Sequence, residues 1–244
     1  MKVSVIGTGL IGSQVIQRLT AAGHDATGHS RSTGLDLITG DGLNDAVRGA
    51  EVVVNVTNSP TFDDASLDFF RTTVTNLLAA AQAAGVQHIV TLSIVGVDHV
   101  PGLAYYRAKT LQEDLVKAGP IPYSIVRATQ FMEFVAPTMD WTTDGEVVRL
   151  PATPIQPISS AEVAAEVADV ATGVPLRGTR QIAGPDVFTL DELGRITLEA
   201  TGDHRHVVTD NTAGLFAVVK GDELIAPDGT RLASTHYRDW LRSH

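Results

Sequence analysis

Val3-Ser4-Val5-Ile6-Gly7-Thr8-Gly9-Leu10-Ile11-Gly12 decides the reading of this chain. A short apolar run leads into G-x-G-x-x-G. An amphipathic run follows, with apolar residues at Leu10, Ile11, Val15, Ile16 and Leu19. Strand, glycine turn and helix in that order are the context the motif needs before it implies dinucleotide binding. Gly7 permits the tight turn, Gly9 presents no side chain to a pyrophosphate, and Gly12 lets the helix pack closely on the strand. Thr8, Leu10 and Ile11 complete the turn, and the free N–H groups of the helix's first turn face the phosphates. The competing explanation is a Gly-rich structural turn.

Outward from this turn, strand and helix signals alternate. Gly23 stops the first helix, Asp25 to His29 reads as a second strand, and Leu35 to Leu37 as a short third one. Glu51 to Val56 is an apolar strand around Asn55. From Asp63 to Ala84, Leu67, Phe70, Val74, Leu77, Leu78 and Ala81 follow the spacing of a buried helical stripe. Gln87 to Ser93 is a strand, Leu103 to Ala118 a helix, and Tyr123 to Val126 a strand. Strands separated by helices imply parallel pairing with right-handed crossovers. The expected fold is α/β, a doubly wound parallel Rossmann-like sheet with a small C-terminal substrate-binding region.

The later part is less regular. Trp141 to Pro157 reads as loop plus short strand, and Ser160 caps a helix running through Ala171. Thr189 and Glu192 form a capping box for a helix to Thr201. Val207-Val208 and Glu223 to Ala226 read as short strands, and Tyr237 to Leu241 as a closing helical turn. The chain is expected to be one NAD(P)-binding domain over 1–244, with its core over about 1–130 and a substrate-side region over about 131–244.

Composition narrows the function classes. The 244 residues are 43% hydrophobic, enough for a substantial core. The net charge of −10, with no Lys or Arg run, argues against nucleic acid as a partner. There is no cysteine, so no disulfide, thiol nucleophile or Cys-based zinc site, which fits a cytoplasmic location. No apolar stretch reaches bilayer length, and Val3 to Ile11 reads better as strand and turn than as a signal sequence. His204-x-His206 lacks an evident third ligand, so no metal is expected. No G-x-S-x-G elbow is present, which removes an α/β-hydrolase.

Tyr105 and Lys109 are four residues apart on a predicted helix and share one face. Ser93 ends the strand before it. Together they have a mechanism. Tyr105 gives its phenolic proton to a carbonyl oxygen as hydride arrives from a nicotinamide. A cation at Lys109 lowers the tyrosine pKa and holds the ribose hydroxyls, and Ser93 hydrogen-bonds the substrate oxygen. The plainer reading is a packed tyrosine and a solvated lysine.

With these residues in place the sequence resembles the short-chain dehydrogenase/reductase superfamily, in its atypical NmrA-like branch. The matching segments are Gly7 to Gly12, His29-Ser30-Arg31, Val53-Asn55-Thr57, Thr91-Leu92-Ser93, Tyr105 to Lys109, and Pro122 to Phe131. The likeness is strongest up to about residue 135. It implies a Rossmann-like fold and NAD(P) binding. The branch also includes redox sensors, many of which lack the tyrosine retained here. The glycine spacing departs from the superfamily's commoner pattern, which has one more residue between the first two glycines.

Ser30-Arg31-Ser32 stands where NAD-binding folds place an acidic residue, about twenty residues past the turn. A guanidinium between hydroxyls suits a 2′-phosphate, so NADP(H) is expected rather than NAD(H). Family likeness places Asp36 at the adenine edge. Thr57, Asn58 and Ser59 follow a strand end beside the cofactor, as do Ala128 and Thr129 near the nicotinamide. Gln130, Phe131 and Phe134 are the expected substrate-pocket residues. Met132, Trp141 and Phe216 are further apolar candidates that core packing explains as well.

The expected activity is an NADP(H)-dependent oxidoreductase passing hydride to a small apolar carbonyl or quinone-like substrate. The alternative is a non-catalytic NADP(H)-sensing regulator. A sugar-nucleotide epimerase fits less well, because such enzymes usually carry a larger C-terminal substrate domain. A homo-oligomer is compatible with the sequence, but no feature specifies one.

Overall fold

The computed structural model describes residues 1–243. In chain order they form β1 (Lys2–Ile6), α1 (Leu10–Ala21), β2 (Asp25–His29), α2 (Leu43–Val47), β3 (Val52–Asn55), α3 (Ala65–Ala83), β4 (His88–Ile94), α4 (Ala104–Ala118) and β5 (Tyr123–Ala128). Then follow α5 (Val135–Trp141), β6 (Thr143–Asp144), β7 (Val147–Leu150), β8 (Pro154–Ile155), α6 (Ser160–Thr172) and β9 (Gly178–Ala183). The chain closes with β10 (Phe188–Thr189), α7 (Leu190–Thr201), β11 (His206–Thr209), β12 (Arg231–Leu232) and α8 (Tyr237–Ser243).

Seven strands form the central parallel sheet in the order β12-β9-β5-β4-β3-β1-β2. The register places Ile6 beside both His29 and Asn55, and Asn55 beside Thr91, so the carboxyl ends of these strands lie together. The chain goes from β1 outward to β2 and then returns to the other side of β1 with β3. That reversal makes the topological switch point of a doubly wound sheet, where ligands of this fold class bind.

The apolar runs become buried strands: every residue of β3 is buried, as is β1 after Lys2. In α3 the predicted stripe forms, with Phe70, Val74, Leu77 and Ala81 packed in one cluster with Ile6, Val53, Ile89, Ala108 and Val116. Each large side chain buried this way contributes roughly 1.5–3 kcal/mol. Asp63 accepts the Ala65 N–H at the start of α3, and Gly85 leaves its end with a φ of +74°.

By internal packing the chain forms two compact units. One comprises Met1–Ile94, Ala104–Arg127 and Ala161–Arg180; the other comprises Val95–Leu103, Ala128–Ser160 and the described residues from Gln181 onward. Helix α6 from Ala161 onward belongs to the first unit. Within the second, β7 joins β6 and β11 in a three-stranded sheet, and β8 pairs with β10.

Four local expectations are corrected. Leu35 to Leu37 is no strand. The Asp36 carboxylate accepts the N–H groups of Ile38 and Thr39, and Gly40 and Gly42 take positive φ, so this segment turns back and leaves β2 at the sheet edge. Glu223 to Ala226 is a turn, with Ile225 N–H bonded to Asp222 O. Thr189 caps α7 without a side-chain bond to the helix backbone, because its hydroxyl serves the Asp191 carboxylate. Trp141 to Pro157 carries three short strands rather than one.

Candidate active site

The glycine turn closes as its sequence demands. Gly7 has a φ of +100°, and a Cβ there would sit 3.2 Å from the backbone of Val56 and Thr57. A Cβ on Gly12 would lie 1.8 Å from the Gly7 carbonyl oxygen, so only glycine lets α1 approach the turn. Gly9 faces open space. It is also the N-cap of α1, with no side-chain cap and no acidic residue in the first turn. The N–H groups at this helix start are therefore available to an anion. Among the turn's apolar residues Ile11 is buried and Leu10 faces outward. An open, uncapped, glycine-lined helix start fits a dinucleotide pyrophosphate.

At the end of β2, Thr8 Oγ1 donates to Ser30 Oγ at 2.9 Å, and Ser30 Oγ lies 2.9 Å from Ser32 Oγ. Arg31 opens a single 3-10 turn, and its Nε is 3.9 Å from an Asp36 carboxylate oxygen. Asp36 thus has a structural duty in its own loop beside the expected adenine contact.

Past β3, the Asn55 carboxamide oxygen accepts both the N–H and the hydroxyl of Thr57, which fixes the strand exit. Asn58 Oδ1 accepts the Tyr105 hydroxyl. Ser59 is turned away: it is buried and bonded to Ser66 of α3, so its hydroxyl serves the helix start.

On α4 the predicted pair is placed differently from expectation. Burial, with a further contribution from Tyr106, pushes the Tyr105 phenol well above its usual range. Lys109 is buried, with Nζ donating to Leu92 O at 2.7 Å and to Gln112 Oε1, and lying 5.1 Å from the Phe70 ring centroid. Burial pulls the ammonium down to about 7, against the attraction of Glu113. The expectation of a fixed cation lowering the tyrosine pKa is corrected, because desolvation of Lys109 outweighs the single nearby carboxylate. Ser93 is also buried, beside Glu113.

Sequence reading missed what anchors this helix. The Glu113 carboxylate is fully buried and receives Arg127 Nε at 2.8 Å, Arg127 Nη2 at 2.7 Å and Lys117 Nζ at 2.9 Å. Its position four residues past Lys109 puts it on the same face, which was the available signal.

In the second unit, Ala128 and Thr129 are buried. The Ala128 carbonyl accepts the Val95 N–H, and Thr129 bonds Ile182 O and Gly184 N–H. Gln130 accepts the Ile158 N–H through its carbonyl, while neither end of its buried amide has a hydrogen-bond partner among the described residues. Phe131 and Phe134 stack at 5.8 Å, and Met132 is core. Among the described residues no group of three or more His, Asp or Glu side chains is placed to hold a metal ion. Nor is any helix long and apolar enough to cross a membrane.

A glycine turn at a parallel switch point, with an uncapped helix start behind it, defines a dinucleotide-binding α/β protein. The profile of the NAD(P)H-binding family matches residues 7–173, and the chain belongs to that family, of the atypical NmrA-like short-chain dehydrogenase/reductase type. A relative from Streptomyces griseus, (4-alkanoyl-5-oxo-2,5-dihydrofuran-3-yl)methyl phosphate reductase, is 29% identical over 204 residues, covering 76% of this chain and 68% of the relative. Among solved structures, MoeE5 in complex with UDP-glucose and NAD superposes with a TM-score of 0.75 at 19% identity, covering 99% of this chain and 96% of that one. A dTDP-4-dehydrorhamnose reductase from Clostridium acetobutylicum gives 0.74 at 18% identity, covering 100% and 98%. These likenesses establish the fold.

Proposed function

We propose that the protein is an NADP(H)-dependent reductase acting on a small carbonyl or quinone-like compound. One observation carries the reading. The Tyr105 hydroxyl is held at Asn58, at the carboxyl end of β3, and the preceding Thr57 packs on Gly7 of the nucleotide turn. The proton donor and the dinucleotide turn therefore meet at one switch point. The reductase relative supports the reaction class. Its named substrate is a butenolide carrying a lactone carbonyl, an alkanoyl ketone and a ring C=C conjugated to both; the ketone is the chemical type proposed here, and the conjugated C=C and the phosphate go beyond it.

The glycine turn and the N–H groups opening α1 hold the pyrophosphate, and Thr8, Ser30, Arg31 and Ser32 receive a 2′-phosphate. When bound, the cofactor supplies hydride. Tyr105 would give its proton to the oxygen of a carbonyl whose carbon would take up that hydride, and the electron pair of the broken O–H bond would stay on the phenolic oxygen. Lys109, once drawn from Gln112 toward a ribose hydroxyl, exchanges one polar partner for another while Leu92 O remains within its reach. Gln130, Phe131 and Phe134 are proposed as substrate-contacting residues.

The test is NADPH oxidation against phenanthrenequinone and a panel of aliphatic and aromatic ketones. Tyr105→Phe is expected to lower kcat at least ~100-fold while NADPH still binds. Wild-type turnover in that variant removes Tyr105 as the acid. Tight NADPH binding with no turnover on the whole panel favours the sensor reading, for which the inward-turned Lys109 is the structural argument. Release of a 4-epimer from UDP-glucose favours the epimerase.

A further inference from the structure

The connection between β3 and α3 grips the first turns of α4 at three points. Asn58 Oδ1 accepts a hydrogen bond from the Tyr105 hydroxyl. Phe62 meets the Tyr105 ring edge-on, with centroids 5.0 Å apart and planes at 66°. Asp64 pairs with Arg107 Nη2 at 2.5 Å. Phe70 of α3 adds a second aromatic neighbour to Tyr105 at 6.2 Å. Two rings therefore fix the position of the phenol, and one amide fixes the direction of its O–H.

A phenol has one proton to donate and lone pairs to accept with. With its O–H donated to Asn58, Tyr105 offers an approaching ligand only acceptor capacity. It receives a ligand hydroxyl directly, but donates to a carbonyl oxygen only after its O–H rotates off Asn58. We propose that Asn58 is a positioning residue for the reaction, holding the Tyr105 O–H in the resting protein and releasing it to the substrate oxygen. This rests on the reductase reading above.

The test uses the full chain labelled with 13C at the hydroxyl-bearing ring carbon of tyrosine. The four tyrosines give four signals, and Tyr105→Phe assigns one of them. In the cofactor-free protein, Asn58→Ala is expected to move the Tyr105 signal while those of Tyr123 and Tyr237 stay in place. Asn58→Asp keeps an acceptor at the same atom and is expected to retain the hydrogen-bonded shift. With phenanthrenequinone and NADPH, Asn58→Ala is expected to lower kcat roughly 3–10-fold, as loss of one orienting hydrogen bond implies. In the Tyr105→Phe background the same substitution is expected to cost nothing more. An unmoved Tyr105 signal, or an equal slowing in both backgrounds, overturns the proposal and leaves the reductase reading standing. Wild-type turnover in Tyr105→Phe overturns both, because Asn58 then has no acid to position.

Discussion

Arg31 holds its guanidinium 68% exposed, with one 3.9 Å approach to Asp36 as its ion pair. Exposed pairs of that kind contribute about 0–1 kcal/mol, so little restrains Arg31 from turning to a phosphate. A charge-assisted bond to a 2′-phosphate is worth about 1.5–3 kcal/mol, or roughly 10- to 100-fold in affinity. Arg31→Ala is therefore expected to weaken NADPH by that factor and to leave NADH nearly unchanged, read by titrating both cofactors. Equal wild-type affinities for the two cofactors would refute the 2′-phosphate assignment. Asp36→Asn should act the other way, tightening NADPH a few-fold by removing a negative charge beside the phosphate. It keeps the side-chain oxygen that accepts the Ile38 and Thr39 N–H groups, so it should cost little in folding. Lys109 is the opposite case among the cations: it is buried on Leu92 O and Gln112, and burial has taken it to about 7. Its place in a Tyr-x-x-x-Lys pattern was legible. Gln112, three residues on, lies on the same face by the same rule, but the Leu92 carbonyl of β4 becomes a partner only once α4 is packed on the sheet.

Among the elements, α4 carries the proposed proton donor, and Glu113 ties it to β5. The carboxylate is buried, and burial alone would raise its pKa, but Arg127, Ser93 and Lys117 together hold it below the ordinary carboxylate range. A folded-state pKa below the unfolded one gives stability that is present above the unfolded value, about 4.3, and lost as pH falls through the folded value. Removing one partner of a buried pair leaves an uncompensated charge and typically costs about 3–5 kcal/mol. Glu113→Gln is thus expected to lower stability in urea by that order and to lower turnover with it. Arg127→Met together with Glu113→Leu should recover most of the loss, because both charges are then gone; a double variant no better than Glu113→Gln would show that packing sets the cost. The long elements were legible because their periodicity runs over many residues, as in the α3 stripe from Phe70 to Ala81. The misread ones were three or four residues long. Leu35 to Leu37 has a strand's composition, but Asp36 and the two following glycines supply a stronger local turn.

For the molecule as a whole, acid is the condition that the buried groups resist least. The glycine turn, the sheet and the tyrosine–lysine pattern could be read from sequence because they are local or periodic. The charges that strands and helices enclose could not, since burial depends on partners far along the chain. His88 is an example: it is 3% exposed and opens β4, and its Nε2 lies 2.8 Å from Ser124 Oγ in β5. Burial pushes its pKa down to about 4 from an ordinary value near 6.5. The sign follows directly. Between those values the unfolded chain binds a proton that the folded one refuses, so stability rises with pH and is lost as pH falls from about 6.5 toward 4. The slope approaches about 1.4 kcal/mol per pH unit, giving a loss on the order of 2 kcal/mol between pH 7 and 5. His236 works against this, since its bond to Asp186 raises its pKa and its contribution is fully present below the unfolded value and lost as pH rises through the folded one. It is exposed and screened, so the buried histidine decides the direction. Urea unfolding at pH 7, 6 and 5 is expected to show the wild type losing stability steadily, and His88→Gln losing markedly less over the same interval. Parallel curves for the two proteins would mean that the acid sensitivity lies in other groups, with the Glu113 cluster the next to test.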